Sequence, residues 1–303
     1  MIQLLHDSMT ISTNGVLIIN KPSGLTSHDV VHRVRRIVGQ RSVGHLGTLD
    51  PMATGVLPIV LGNMTRLAQF YLKSEKSYQG VIRFGFATDT YDAEGEPLGE
   101  PQPLNLSLEQ LREVSSKFRG IVEQMPPPFS AKKVQGVPAY KLARKKKDVP
   151  LQPIQVEIKE FEIVELDSYR AAFRTRVSSG TYVRSIAHEL GQLAGCGAHL
   201  QALCRSSVAE FSLAEAHTLD QLEIAVQGGD LESILVHPRK LLPNMPSVTA
   251  SDEIASRIRH GQAVNLPELS RAPEVKVFHG QRELICIATR IAGTLLQPKI
   301  VLA

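Results

Sequence analysis

The sequence predicts a mixed α+β fold built as one large domain followed by a small one. Strand and helix patterns are interleaved along the chain without a regular strand–helix–strand rhythm. The chain has 303 residues, more than a single domain of roughly 100–200 residues needs. Two prolines in LLPNMPS follow the last long helical stretch and mark a boundary. With 43% hydrophobic and 21% charged residues the chain can bury a core, which excludes disorder as its dominant state. No apolar run approaches the ~18 residues of a membrane-spanning helix. MIQLLHDSMT lacks the basic stretch of a signal peptide.

Each element follows from local pattern. Residues 1–14 read as a frayed leader. The apolar run GVLIIN is a buried strand, and Ser27 is placed to cap a helix reaching Gly39, with Val30, Val31, Val34, Ile37 and Val38 on one face. Gly44 to Gly55 is a glycine-rich loop, and VLPIVLG is a second buried strand. Tyr78, Ile82, Phe84 and Phe86 keep the period of two that marks a strand. TDTYDAEGE has turn chemistry, and Ser107 with Gln110 forms a capping box for a helix up to Phe118. PPPFSAKKVQGVPAYKLARKKK, with three consecutive prolines, reads as an extended, exposed insertion spanning about 124–152. VEIKEFEIVEL and AAFRTRV are strands. Thr181 is placed to cap a helix whose stripe is Val183, Ile186, Ala187, Leu190 and Leu193. After the boundary near residue 244, a short helix and the hairpin signal VKVF–HGQ–ELICIATRI complete the chain.

Cys196, Cys204 and Cys286 are odd in number and show no C-x-x-C spacing. A disulfide framework and a zinc site are therefore not expected, and the reading is a cytoplasmic protein. The net charge of +4 is mild, but its distribution is not. Lys132, Lys133, Lys141, Arg144, Lys145, Lys146 and Lys147 form a run without a single acid. Charge runs are usually solvated faces. This one also holds Tyr140 and an extended proline-rich lead-in, which suits a polyanion backbone, so nucleic acid is the expected partner.

The segment GHLGTLDPMATGVL carries the most chemistry. Asp50 precedes Pro51, which pushes it out of helical geometry and into a turn flanked by Gly44, Gly47 and Gly55. An aspartate that only organises its own turn is the plainer alternative. The pattern of a phosphate-cradling P-loop is absent. Arg184 stands in the first turn of its helix, where the dipole disfavours a cation, and that placement favours pairing with a carboxylate. Tyr78 is by default a core tyrosine, and its alternative is a stacking platform for a base. His45, between glycines, is otherwise an ordinary loop side chain.

Taken together, these segments resemble bacterial tRNA pseudouridine-55 synthases of the TruB type. NKPSGLTSHDVV is similar to that family's first motif, GHLGTLDPMATGVL to its catalytic motif, and KSYQGVIRFGFATDTYDAEG to its tyrosine-bearing strand. PPPFSAKKVQGVPAYKLAR resembles the family's insertion, while SSGTYVRSIAHELG and GCGAHLQALCRSS match its later active-site segments. The resemblance implies a pseudouridine-synthase sheet over residues 15–244 and a small PUA-like β domain over 245–303. It implies that Asp50 is the nucleophile, that Tyr78 packs against the target base, and that Arg184 pairs with the aspartate. It places His45 in the gap left by the extruded nucleotide, Tyr182 and Leu203 in the base pocket, and Lys21 near the active site as an RNA-binding residue, with a structural role as its alternative. Relatives often carry two arginines after the leucine, whereas this chain has Leu203, Cys204 and Arg205, which puts one local contact in question.

The activity implied is isomerisation of uridine 55 in the T-arm stem-loop of tRNA, with the base flipped from its stack. No cofactor and no metal are expected, since the reaction has no redox change and no group donor. No protein partner or membrane is implied, and a monomer is expected. The runner-up is a tRNA-binding folding chaperone that acts without chemistry, and the weakest reading is a nucleotide hydrolase.

Overall fold

The computed structural model describes residues 13–130, 132–134, 136–138 and 151–302. Its centre is a nine-stranded mixed sheet. Seven strands run across it in the order Gly15–Lys21, Thr54–Leu61, Ala198–Val208, Lys76–Phe84, Arg170–Val177, Ile154–Asp167 and Gly120–Gln124. Val43–His45 and Phe211–Ser212 add short pairings at the side. Thr54–Leu61 pairs parallel with Ala198–Val208, and every other pairing in the sheet is antiparallel.

The two faces of this sheet explain the sequence patterns. Leu17, Ile19, Leu57, Ile59, Tyr78, Ile82, Phe84 and Phe173 point to one face, where helices Ser27–Val38, Leu108–Ser116, Val183–Leu193 and Leu219–Gln227 cover them. Val16, Ile18, Val56 and Val60 point to the other, against Phe278, Leu284, Ile287 and Ile300 of the C-terminal sheet. GVLIIN therefore shows no alternation, because both its faces are buried. The Lys76–Phe84 strand alternates because only its Tyr78 face is covered. Each aliphatic side chain buried in these clusters contributes about 1.5–3 kcal/mol.

The C-terminal residues form a five-stranded sheet in the order Ser247–Ala250, Glu274–His279, Glu283–Ala292, Leu295–Val301 and Val264–Asn265. Helix Asp252–Arg259 packs on it through Ala255 and Ile258. The expected hairpin is present, with a short strand preceding the expected helix.

Several local expectations change. Thr26, not Ser27, caps the first helix, in a capping box with Asp29. Ser27 is buried and bonds to Leu49 instead, so its hydroxyl is spent on tertiary structure. The second capping box, Ser107 with Gln110, forms as expected, but its helix ends at Ser116. Thr181 caps nothing, and Leu193 is exposed at the far end of its helix. Within the insertion, Lys133–Val134 and Val137–Pro138 pair as a small hairpin.

Candidate active site

The loop from Gly47 to Pro51 is fixed carbonyl by carbonyl. The Arg205 guanidinium donates to the Gly47 oxygen at 3.0 Å and to the Thr48 oxygen at 3.1 Å. Ser27 Oγ donates to the Leu49 oxygen at 3.2 Å and accepts the Leu49 N–H at 2.8 Å. The Asp50 oxygen accepts from Ala53 N–H, and the Pro51 oxygen accepts from Gly24 N–H and from Lys21 Nζ. Five consecutive carbonyls thus have donors from three segments, residues 21–27, Ala53 and Arg205. A reacting group on a loop needs this support to be held in one geometry.

Gly55 is required where it stands. Its φ is +98°, and a Cβ there would lie 2.3 Å from the Arg205 carbonyl oxygen. The chain after the loop therefore runs against the backbone of Arg205, whose side chain reaches forward to hold the loop.

Arg184 receives Asp50 on two nitrogens, Nε to Oδ2 at 2.9 Å and Nη2 to Oδ1 at 3.1 Å. Its remaining N–H groups go to Thr90 O at 3.1 Å, Phe129 O at 3.0 Å and Asp92 Oδ2 at 3.3 Å. The guanidinium is almost fully buried, at 6% side-chain exposure, while Asp50 stays 37% exposed. One buried cation is thus shared by two carboxylates, one closed in and one open to solvent. Asp92 is itself held by Thr90 Oγ1 at 2.6 Å and Glu94 N–H at 3.1 Å. The helix bearing Arg184 is fixed at its start by Gln124, whose amide both accepts from Tyr182 N–H and donates to Tyr182 O.

Two hollows meet at the Asp50–Arg184 pair. One, of about 310 Å³, is lined by Tyr78, Tyr182, Leu203, Lys76 and Leu49. Burial pushes the phenols of Tyr78 and Tyr182 up, with the cation of Arg205 opposing it at Tyr78. The other hollow holds His45, His28, Glu94 and Phe129. His45 Nδ1 accepts the Gly47 N–H at 3.2 Å, and burial, then repulsion from Arg205, moves its pKa down. The imidazole is a neutral, half-buried ring beside the loop.

Asp50, Tyr78, Arg184, Tyr182 and Leu203 are therefore brought together around one hollow, with His45 in the next. For Lys21 the geometry favours the structural alternative. Its ammonium is fully buried and donates to Pro22 O, Leu25 O and Pro51 O at 2.6–3.0 Å, so it fastens two turns and offers nothing to a polyanion. Lys132 Nζ bonds Gln152 O at 3.0 Å. Lys133 enters the small hairpin. Arg144, Lys145, Lys146 and Lys147 lie outside the described residues, as does Tyr140.

Alternation along the strand places Cys204 away from the Asp50 loop. Cys204 pairs with Gln79 and lines a groove on the opposite sheet face, whereas Arg205 pairs with Tyr78 and faces the loop. Sequence reasoning missed Arg205 and Asp92 as site residues. A buried arginine in a strand looks like a surface one, and Asp92 reads as turn chemistry; the Thr90–Asp92 spacing was the available signal.

A larger hollow of about 600 Å³ lies at Tyr71, Glu210 and Leu242. Glu210 there accepts from Tyr71 OH and Leu242 N–H, and no cation pairs with it among the described residues. Charge arrangement, not size, singles out the Asp50 hollows.

Residues 35–183 match the family model described as TruB family pseudouridylate synthase (N terminal domain), and residues 184–242 match the tRNA pseudouridylate synthase B C-terminal domain. The tRNA pseudouridine synthase B of Solibacter usitatus is 46% identical, over 95% of this chain and all of the relative. That of Geotalea uraniireducens is 40% identical, over 93% of this chain and 90% of the relative. Among solved structures, an H/ACA ribonucleoprotein bound to a substrate RNA containing 2′-deoxyuridine superimposes with a TM-score of 0.71, at 22% identity, covering 95% of this chain and 85% of that one. A Cbf5–Nop10–Gar1 complex gives 0.69 at 24% identity, with the same coverage. These two share the fold.

Proposed function

This chain belongs to the TruB family of pseudouridylate synthases, and from that footing we propose that it isomerises uridine 55 in the T-arm stem-loop of tRNA. The observation that carries the reading is the bidentate Arg184–Asp50 pair on the wall between two hollows. The reaction breaks the N1–C1′ bond of uridine, turns the retained uracil and forms a C5–C1′ bond. Nothing is oxidised, and the only exchange is the C5 proton given up and a proton gained at N1, so the site needs a carboxylate at the sugar, a slot for the base and a means of holding the RNA.

Asp50 is the nucleophile in this reading; the same carboxylate serves equally in an elimination at the sugar. Both routes need it oriented and charge-balanced, and the fork of Arg184 supplies that. Tyr78 and Tyr182 offer flat apolar faces for the base, and Leu203 closes the slot. The base reaches this slot only by leaving its stack, and His45 in the neighbouring hollow fills the vacancy. Recognition then rests on loop shape and phosphate contacts.

Residues 15–244 act as the catalytic domain, with the insertion at about 124–152 gripping the RNA through Lys132, Lys133, Arg144, Lys145, Lys146 and Lys147. Residues 245–303 act as a PUA-like RNA-binding domain. The protein works as a monomer in the cytoplasm, where its three free thiols stay reduced.

Incubating an unmodified tRNA with the protein and mapping pseudouridine tests the reading. Conversion at position 55 supports it. Tight binding without conversion at any uridine transfers the role to a folding chaperone.

A further inference from the structure

Lys76 opens the strand that carries Tyr78, two residues earlier and therefore on the same face. It lines the same hollow as Asp50, Tyr78 and Leu203. Its stem lies beside the Asp50 loop, with Cε 3.6 Å from where a Cβ on Gly47 would stand.

Its hydrogen bonding is incomplete. Nζ donates to the Ser74 oxygen at 2.8 Å, and no carboxylate pairs with it among the described residues. Four other described lysines are spent. Lys159, Lys240 and Lys299 each pair with a glutamate, and Lys21 gives three bonds to carbonyls. An ammonium has three N–H donors, so two of those on Lys76 remain for something else.

A half-buried cation without a counter-charge is costly, and Arg205 beside it adds repulsion. Both effects act on Lys76: burial first and Arg205 second push its pKa down to about 8. Charge of this kind is retained where an anion completes the site. Asp50 is already taken by Arg184. The hollow, on the reading above, receives one nucleotide, and every nucleotide in a strand brings a phosphodiester with it.

We propose that Lys76 binds a backbone phosphate adjoining the nucleotide whose base enters the hollow, and so sets how deeply that nucleotide is drawn toward Asp50. This rests on the proposed tRNA-modifying function. It makes Lys76 a substrate-binding residue separate from the basic insertion, acting at the reacting nucleotide instead of along the stem.

Neutralising either partner tests it. T-arm RNAs are made with a single uncharged methylphosphonate on the 5′ or the 3′ side of the target uridine, and binding is measured for wild type, Lys76→Met and Lys76→Arg. Lys76→Met is expected to weaken binding of ordinary RNA about tenfold, the scale of one charge-assisted hydrogen bond. Its salt dependence falls by slightly under one phosphate's share. Lys76→Arg restores most of the loss. At one of the two linkages, methylphosphonate weakens wild type by a similar factor and leaves Lys76→Met unaffected.

Penalties that multiply at both linkages overturn the proposal, as does a Lys76→Met protein that binds like wild type. Should Lys76→Met fail to fold, equal wild-type affinity for all three RNAs overturns it alone. If wild type shows the phosphate penalty yet never isomerises tRNA, the phosphate assignment stands and the proposed activity falls.

Discussion

Arg184 holds Asp50 through two different nitrogens, Nε at 2.9 Å and Nη2 at 3.1 Å, while a third, Nη1, lies 3.3 Å from Asp92. The cation is therefore the joint between a reacting carboxylate that faces solvent and a second carboxylate that does not.

Replacing that fork with a single ammonium breaks the joint. Arg184→Lys is expected to lower kcat at least about a hundredfold, because Asp50 loses its fixed orientation. It leaves Asp92 buried beside a poorer partner, so stability falls as well, toward the roughly 3–5 kcal/mol of a broken buried pair. Single-turnover kinetics and urea unfolding of the variant check both. A variant with near-normal kcat shows that the pair is structural only.

The loop depends on Arg205 in the same way. Arg205→Met removes the donors to the Gly47 and Thr48 carbonyls. Losing these two part-buried hydrogen bonds together with the buried one to the Val56 carbonyl puts the loss at about 3 kcal/mol or more. Gly55→Ala attacks the same contact from the other side, through a φ of +98° and the clash with the Arg205 backbone. Thermal melts should show both variants well below wild type, and melting points equal to wild type contradict the account.

Acid should loosen the protein before its carboxylates titrate. Burial lowers the pKa of His45, His188 and His199 from 6.5. The folded state then binds fewer protons than the unfolded one, so their contribution is present above pH 6.5 and lost as pH falls below it. His279, raised by hydrogen bonds to Asp252 and Glu283, works in the opposite direction, but it is exposed and screened. Urea midpoints are expected to drop between pH 7 and pH 5, and a His45→Gln, His188→Gln, His199→Gln protein should drop less. An equal drop in both assigns the effect to other groups.

The basic run is testable without structural detail. Replacing Lys145, Lys146 and Lys147 with glutamine should weaken tRNA binding uniformly and reduce its salt dependence by about two to three phosphates' share. An unchanged slope removes the run from the RNA interface.

Local rules marked the site's residues only as candidates, and the family resemblance selected among them. Asp50 stood out because Asp-Pro between glycines fixes an extended turn, and Arg184 because a cation opens its helix against the dipole. The strand bearing Tyr78 declared itself by alternation, since only one of its faces is covered. What local pattern could not supply were contacts made across the fold. Arg205 meets the loop 158 positions away in sequence, and Ser27 meets Leu49 22 positions away. Ser27 therefore read as a cap, and Lys21 as a cation for RNA, because burial against distant carbonyls leaves no trace in spacing. Asp92 was hidden by its own turn, whose sequence accounts for it without Arg184.

The most direct test is Asp50→Asn, which keeps size and one hydrogen-bond acceptor while removing the charge. Wild type and variant are given unmodified tRNA, with pseudouridine mapped and binding measured separately. The account predicts no pseudouridine at position 55 and binding close to wild type. Pseudouridine formed at position 55 by the asparagine protein would contradict it.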